Sequence, residues 1–362
     1  MDLADFIAKP DMRLRGVNLG GWLVLEKWMK PSLFEGLAAT DETTLCVELG
    51  REAPARLHAH WDTFITRDDF AWLAGVGINA VRIPVGHWIF GPPYPYHPKY
   101  GANRDPFVEG GIEVLDRALD WARALGLRVV LDLHAAPGCQ NGFDNGGIQG
   151  VCEWHTREEY LAHSVDVLGR LAERYRANAC LHAIQVLNEP RWDVPTDLLE
   201  AYYLRAYDAI RAHCRPEHVA VVFHDGFRSH REYLGFMQPP AFQNVILDVH
   251  RYQCFEPADI ALDIHGHVHK AGVAWRSEAD EIQRELALPA IAGEWSLGLD
   301  RKTLDGMDAF QEQVAYRAYA AAQLLAFEHY LGWFFWSYRT ETTPAWCFRE
   351  SVERGWLPPR FQ

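Results

Sequence analysis

Ala183-Ile184-Gln185-Val186-Leu187-Asn188-Glu189-Pro190 is a mostly apolar run that ends in an Asn-Glu-Pro corner. It does not alternate polar with apolar residues, so it reads as a strand covered on both faces, the pattern of a parallel sheet flanked by helices. Pro190 cannot donate a ladder hydrogen bond and stops the strand, which leaves Glu189 at its C-terminal tip. A lone strand-end Glu can simply cap the next helix. A second run of the same form, Ala290-Ile291-Ala292-Gly293-Glu294-Trp295, brings another carboxylate to another strand end. Two such tips make a pair.

Working outward, six further apolar runs at 15–20, 80–85, 128–134, 219–224, 245–250 and 332–337 join 183–188 and 290–294 to give eight strands. Helical patterns lie between most of them, at 68–75, 111–125, 157–176, 196–214, 278–286 and 308–330. In the last, Tyr316, Tyr319, Ala320, Gln323, Leu324 and Phe327 form a stripe for core packing. Strand and helix alternating eight times predict an α/β protein, a parallel (β/α)8 barrel. A doubly wound open sheet is the alternative, but its first turn would carry a Gly-rich phosphate motif. Here that turn reads Gly16-Val17-Asn18-Leu19-Gly20-Gly21-Trp22 and lacks the G-x-G-x-x-G spacing. There is no linker or composition break, so residues 1–362 are expected to form one catalytic barrel domain with core strands from about residue 15 to 338.

Asp and Glu outnumber Lys and Arg by 49 to 35, a net charge of −14 that argues against nucleic acid or anionic membrane as partner. Fourteen Trp supply flat apolar faces of the kind that sugar rings stack on. The cysteines at 46, 139, 152, 180, 214, 254 and 347 form no C-x-x-C pair, so neither a zinc site nor a disulfide framework is expected. The first residues carry no basic-then-apolar leader, and no apolar run approaches the roughly 18 residues of a membrane span. The expectation is a soluble, cytoplasmic protein of unknown oligomeric state. His265-Gly266-His267-Val268-His269 alternates as a chelating tract can, but no carboxylate or Cys is suitably spaced beside it, and no metal is expected.

The C-terminal rim of a parallel barrel is where its enzymes assemble their sites. At that rim the predicted strands present Glu26 and Trp28 after the first, Arg82 with His87 and Trp88 at the second, and His134 at the third, followed by the polar loop 139–145. The fourth gives Asn188 and Glu189, the sixth His250 and Tyr252, the seventh Glu294 and the eighth Trp336. Glycoside hydrolysis needs two carboxyl groups flanking the scissile bond, one protonated and one ionised. Glu189 and Glu294 can meet across the barrel mouth, with Arg82 and Tyr252 as donors that keep one of them ionised. Chemistry alone does not say which Glu plays which part.

Arg15-Gly-Val-Asn-Leu-Gly-Gly-Trp-Leu-Val-Leu-Glu26, Asn79-Ala-Val-Arg-Ile-Pro84, Leu131-Asp-Leu-His134, Gln140-Asn-Gly-Phe-Asp-Asn145, Leu187-Asn-Glu-Pro190, Asp248-Val-His-Arg-Tyr-Gln253, Gly293-Glu-Trp-Ser296 and Gly332-Trp-Phe-Phe-Trp-Ser-Tyr338 occur in this order. Together they resemble the exo-β-1,3-glucanases of glycoside hydrolase family 5 from residue 15 to about 341. The resemblance implies a retaining mechanism without metal or cofactor, with Glu189 as acid/base and Glu294 as nucleophile. It implies that Asn188 bonds the sugar 2-hydroxyl, that Arg82 and Tyr252 orient Glu294, and that His134 and His250 line the sugar subsite with Trp336 beneath the ring. Glu26 and Asp144 would hold the terminal glucose, and Phe143 and Phe255 would stack on the next sugar. The substrate implied is a β-1,3-gluco-oligosaccharide cut from its non-reducing end. Because the glucanase loop covers its neighbours, Cys139 is read as an exposed thiol. A transglucosylase, a β-glucosidase for β-1,6, aryl or lipid glucosides, and a non-catalytic glucan-binding protein are the alternatives. Residues 258–275 and those after Trp346 match no pattern.

Overall fold

The structure, a computed structural model, describes residues 13–91 and 106–361, with the backbone of 96–97 and 101–102. Eight parallel strands close into a barrel: β1 (Leu14–Asn18), β2 (Ala80–Gly86), β3 (Arg128–Ala135), β4 (Leu181–Gln185), β5 (Ala220–His224), β6 (Val245–Arg251), β7 (Ala290–Trp295) and β8 (Gly332–Phe335). Neighbours follow chain order, and β8 returns to β1 with Leu14 opposite Gly332. Closure satisfies the edges that an open sheet would leave bare, so the barrel expectation stands and the open-sheet alternative falls.

The main difference from the sequence reading is at β4, whose ladder stops at Gln185. Beyond it the Val186 N–H still reaches Val222 O, and the Asn188 N–H reaches Leu133 O, each at 2.9 Å. The chain therefore leans on β5 and then on β3 before it turns. Glu189 sits in that turn with φ +41, a left-handed conformation that costs a non-glycine residue energy and clusters at functional sites.

Successive side chains of a strand alternate between the helix layer and the barrel interior. The interior floor is apolar, with Leu14, Ala80, Val130, Ala183, Ala220, Ile246, Ile291 and Phe334 drawn one from each strand. The next inward level is polar and buried: Asn18, Arg82, Asp132, Gln185 and Asp248. Gly293 breaks the alternation in β7. On β6, Val249 and His250 are opposite Ala292 and Glu294. On β8, Trp333 and Phe335 are opposite Ala292 and Trp295. Both neighbours thus skip Gly293, a β-bulge that re-aims Glu294 into the mouth. Only glycine fits there, because a Cβ would lie 2.1 Å from Asp248 Oδ1.

The helices Arg67–Gly75, Gly111–Leu125, Glu158–Tyr175, Thr196–Arg211 and Ala309–Phe327 clothe the barrel close to their predicted positions. In the last, Tyr319, Ala320, Gln323 and Phe327 are buried, as the stripe predicts. Two helices, Glu42–Leu49 and Ala53–Phe64, were not foreseen and build the first strand-to-helix connection. The unreadable segment becomes helix Pro257–Ile260, followed by a continuous helical run whose middle, Lys270–Trp275, is a π-helix between Ile264–His269 and Arg276–Glu285. A π turn breaks the 3.6-residue spacing that periodicity relies on. In the helix Ile264–His269 before it, His267 is buried against Gln253 while His265 and His269 are exposed, so the three rings do not converge. Among the described residues no helix is long and apolar enough to cross a membrane.

Candidate active site

Arg82, fully buried, is the hub of the polar level. Its Nε donates to Gln185 Oε1 (2.8 Å), and Nη1 to Asn18 Oδ1 (2.8 Å) and Glu294 Oε1 (2.9 Å). Its Nη2 donates to Asn188 Oδ1 (2.8 Å) and lies 3.0 Å from Asp132 Oδ2. Burial alone would make the guanidinium easier to deprotonate, but Asp132, Glu294 and Asp248 outweigh it and fix the positive charge. One side chain thus ties five strands or strand ends around Glu294. The other Glu294 oxygen, Oε2, accepts from Tyr252 Oη at 2.9 Å.

His250 joins the two carboxyl groups. Its Nδ1 lies 2.6 Å from Glu189 Oε1 and 3.4 Å from Glu294 Oε2. These two distances cap the separation of those oxygens at about 6 Å, a bound that admits the ~5–5.5 Å of retaining glycosidases and falls short of the ~6.5–9.5 Å of inverting ones. The other ring nitrogen, Nε2, meets Asp248 Oδ2 at 3.2 Å. Both nitrogens therefore face carboxylate acceptors. Burial disfavours the cation, but Glu294, Asp248 and Glu189 prevail and raise the imidazole well above its ordinary range.

Burial pushes Glu294 up, with Glu189 adding to the shift and His250 and Arg82 opposing it. Burial also acts on Glu189, but the bond to His250 and the charges of His250 and His134 hold its carboxyl below the usual range. Asn145, on the loop after β3, donates to Glu189 Oε2 at 3.2 Å. His250, driven up, thus stands one hydrogen bond from Glu189, held down, and a proton can pass between them.

His134 donates from Nδ1 to Asp132 Oδ2 at 2.6 Å and stacks parallel to Trp336 with ring centres 5.2 Å apart. Glu26 accepts from Trp28 Nε1 at 2.8 Å. Burial and the neighbouring Asp144 push its carboxyl well above the usual range. Asp144 is raised chiefly by burial. Among the described residues, the buried atoms Glu26 Oε1, His134 Nε2 and Asn188 Nδ2 of this pocket have no partner. Buried polar groups rarely stay unpaired unless they serve a ligand or water. Phe143 and Phe255 are exposed at the rim, Phe255 with its ring 5.5 Å from that of Tyr252. All twelve residues expected at the site lie on strands or strand-to-helix loops of this one barrel end.

Cys139 corrects the sequence reading. Its thiol is fully buried beneath the loop after β3, accepts from Gly142 N–H at 3.2 Å, and is pushed by burial up to about 12. Polar loops can fold back over their own small residues, and this one does. The residues missed were Asn18, Asp132, Gln185, Asp248, Asn145 and His224. For two of them the signal was present, since Asp132-Leu-His134 and Asp248-Val-His250 each place an Asp two residues before a strand-end His, on the same face of its strand.

A closed parallel barrel with two carboxyl groups meeting at its C-terminal mouth is the plan of a glycoside hydrolase. The family model described as Cellulase (glycosyl hydrolase family 5) matches residues 49–342, and the chain belongs to that family. The Aspergillus clavatus protein named probable glucan 1,3-beta-glucosidase A is 37% identical over 382 residues, spanning 95% of this chain and 87% of that protein. The Blumeria graminis glucan 1,3-beta-glucosidase is 36% identical over 390 residues, spanning 96% and 87%. Among solved structures, rutinosidase from Aspergillus niger superposes with a TM-score of 0.80 at 20% identity over 95% of this chain and 98% of that one. The endoglucanase Cel5A of Thermotoga maritima gives 0.60 at 15% over 98% and 99%. Those two share the fold.

Proposed function

We propose that this glycoside hydrolase is a retaining β-glucosidase that removes glucose from the non-reducing ends of β-1,3-linked gluco-oligosaccharides. The observation that carries the reading is the carboxyl pair, of which Glu189 Oε1 and Glu294 Oε2 share His250 Nδ1 and so lie within about 6 Å of each other, a range that admits direct attack. The names of the relatives at 36–37% identity support the linkage.

Glu294, held by Arg82 and Tyr252, attacks the anomeric carbon as the bond to the leaving oxygen breaks. Glu189 gives that oxygen a proton. The proton reaches Glu189 from His250 Nδ1, which leaves a neutral imidazole still bonded through Nε2 to Asp248. The resulting glycosyl-enzyme is opened by water, which Glu189, now ionised, deprotonates. Among the described residues Asn188 Nδ2 has no partner and can donate to the sugar 2-hydroxyl, and His134 Nε2 and Glu26 Oε1 can pair with others. Trp336 underlies the ring, and Phe143 and Phe255 flank the next sugar.

Incubation with laminaritriose, followed by proton NMR, tests this. β-Glucose appearing before mutarotation, with laminaribiose as co-product, is the expected result. α-Glucose first would refute retention, longer products would indicate transfer, and turnover of gentio- or cello-oligosaccharides alone would refute the linkage. Glu294→Ala is expected to abolish turnover, and Glu189→Ala to spare substrates with good leaving groups.

A further inference from the structure

His224 closes β5 and is fully buried, yet the mechanism above does not use it. Its Nδ1 accepts the Gly226 N–H at 2.9 Å. An imidazole nitrogen that accepts has no proton, so in the neutral ring the proton must sit on Nε2. Neutrality is enforced. Burial, together with the positive charges of His250, Arg82, Arg251 and Arg228, holds this imidazole well below its ordinary range, although Asp225 lies 3.5 Å from Nδ1. The Nε2–H so fixed has no partner among the described residues. It belongs to a ring packed edge to face on His250 at 4.3 Å, with Phe227 packed against it at 5.2 Å. A nitrogen of His224, a nitrogen of His250 and a carboxylate oxygen of Glu189 lie within 4.8 Å of one another.

Two His and a Glu so close resemble a metal site, but the donor set does not fit one. A cation needs a nitrogen lone pair, and the lone pair of His224 is committed to Gly226. What His224 offers the cluster is a donor. We propose that His224 is a positioning residue for Glu189: its Nε2–H bonds the Glu189 carboxylate, directly after a small rotation of that group or through one water, whenever Glu189 is ionised. This rests on the acid/base role given to Glu189. His250 and Asn145 already donate to the same carboxylate. His224 would add a donor without charge, so it would support the ionised form that follows proton donation without competing for the proton itself.

The test is the pH profile of kcat/KM for phenyl β-glucoside, whose poor leaving group needs an acid whatever linkage the enzyme prefers. The groups facing Glu189 are His250 on β6, His134 and Asn145 from β3 and its loop, Glu294 on β7, Glu26 on the loop after β1, and His224. His224→Phe keeps the ring packing and removes the donor. Without the donor Glu189 holds a proton more tightly, so the hydrogen-bonded Glu189–His250 pair gives up its shared proton later, and the alkaline limb is expected to move up by as much as about one pH unit. His224→Gln, with an amide N–H, is expected to bring it back towards wild type. An unmoved limb in His224→Phe, or a Gln variant that behaves like Phe, would overturn the proposal. Glu189→Ala is the control: if it leaves this substrate unaffected, the acid/base assignment has failed, a result distinct from an unmoved limb. A readout that needs no His224 variant is histidine-selective 15N NMR of the wild type. The Nε2–H signal of His224 should shift in Glu189→Ala, and an unchanged signal would count equally against the proposal.

Discussion

Tyr252→Phe tests how the buried Glu294 is kept ready to attack. Its carboxylate has two donors at 2.9 Å, Arg82 Nη1 on one oxygen and Tyr252 Oη on the other. Removing the phenol oxygen leaves the guanidinium and the ring packing in place. A hydrogen bond to a charged, buried acceptor is worth roughly 1.5–3 kcal/mol, and each pH unit corresponds to about 1.4 kcal/mol. The Glu294 carboxyl should therefore become harder to ionise by about one to two pH units. The acid limb of kcat/KM would move up by that amount. The two half-reactions respond differently. In the first, Glu294 loses its charge, so part of the lost bond is lost from the ground state as well. In the second, charge returns to Glu294 and Tyr252 stabilises it, so opening of the glycosyl-enzyme should slow by about 10- to 100-fold. The covalent intermediate then accumulates and KM falls with kcat. Stopped-flow kinetics on an activated aryl glucoside would show this as a burst, and mass spectrometry as a glucosylated protein. An unmoved acid limb with an equal loss in both steps would refute the reasoning and leave Tyr252 as packing alone.

Two further predictions concern the scaffold. Gly293→Ala drives a Cβ to 2.1 Å from Asp248 Oδ1, the carboxylate that also holds Gln185 and His250. It should cost about 1–3 kcal/mol in stability and most of the activity, and a variant with unchanged Tm and kcat would refute the bulge argument. Glu42, buried with Oε2 accepting from the Leu25 N–H at 2.8 Å, is driven up by burial to about 8. The unfolded chain releases this proton near 4.5, so its contribution to stability is full below that pH and is lost as pH rises towards 8. By pH 7 the loss is up to about 3 kcal/mol. Glu42→Gln should flatten the fall between pH 5 and 8 in denaturant titrations, and an identical slope would refute it.

The barrel was legible because strands covered on both faces carry long apolar runs whatever lies beyond them, and because Gly turns close the helices before them. The strand-end residues were legible for a related reason. Arg82, His134 and Glu294 are costly to bury, and their place at the end of an apolar run needs a purpose. Less visible were contributions that depend on depth in the barrel. Asn18, Gln185 and Asp248 lie inside predicted strands, where a single polar residue looks like ordinary variation, yet they line one level and meet Arg82 or His250 there. The bulge at Gly293 could not be read, because a skipped residue appears only against its neighbours. Glu42–Leu49 was missed for want of an apolar stripe, although Asp41 and Thr44 mark its start as a capping box. Cys139 reads as an exposed thiol where the glucanase loop pattern covers its neighbours, yet local backbone turns bury it.

The pairing of Leu14 in β1 with Gly332 in β8 has a consequence for the living cell. A ribosome makes β1 first, but one flank of that strand has no lasting neighbour until nearly the whole chain has emerged. For most of its synthesis the chain is an arc of apolar strands with an uncovered edge, the form most exposed to mispairing and aggregation. A stalled or shortened product that lacks β8 would be a cohesive remnant and not a weaker enzyme. Yield during production should therefore respond more to translation speed and chaperone supply than to changes around the sugar pocket.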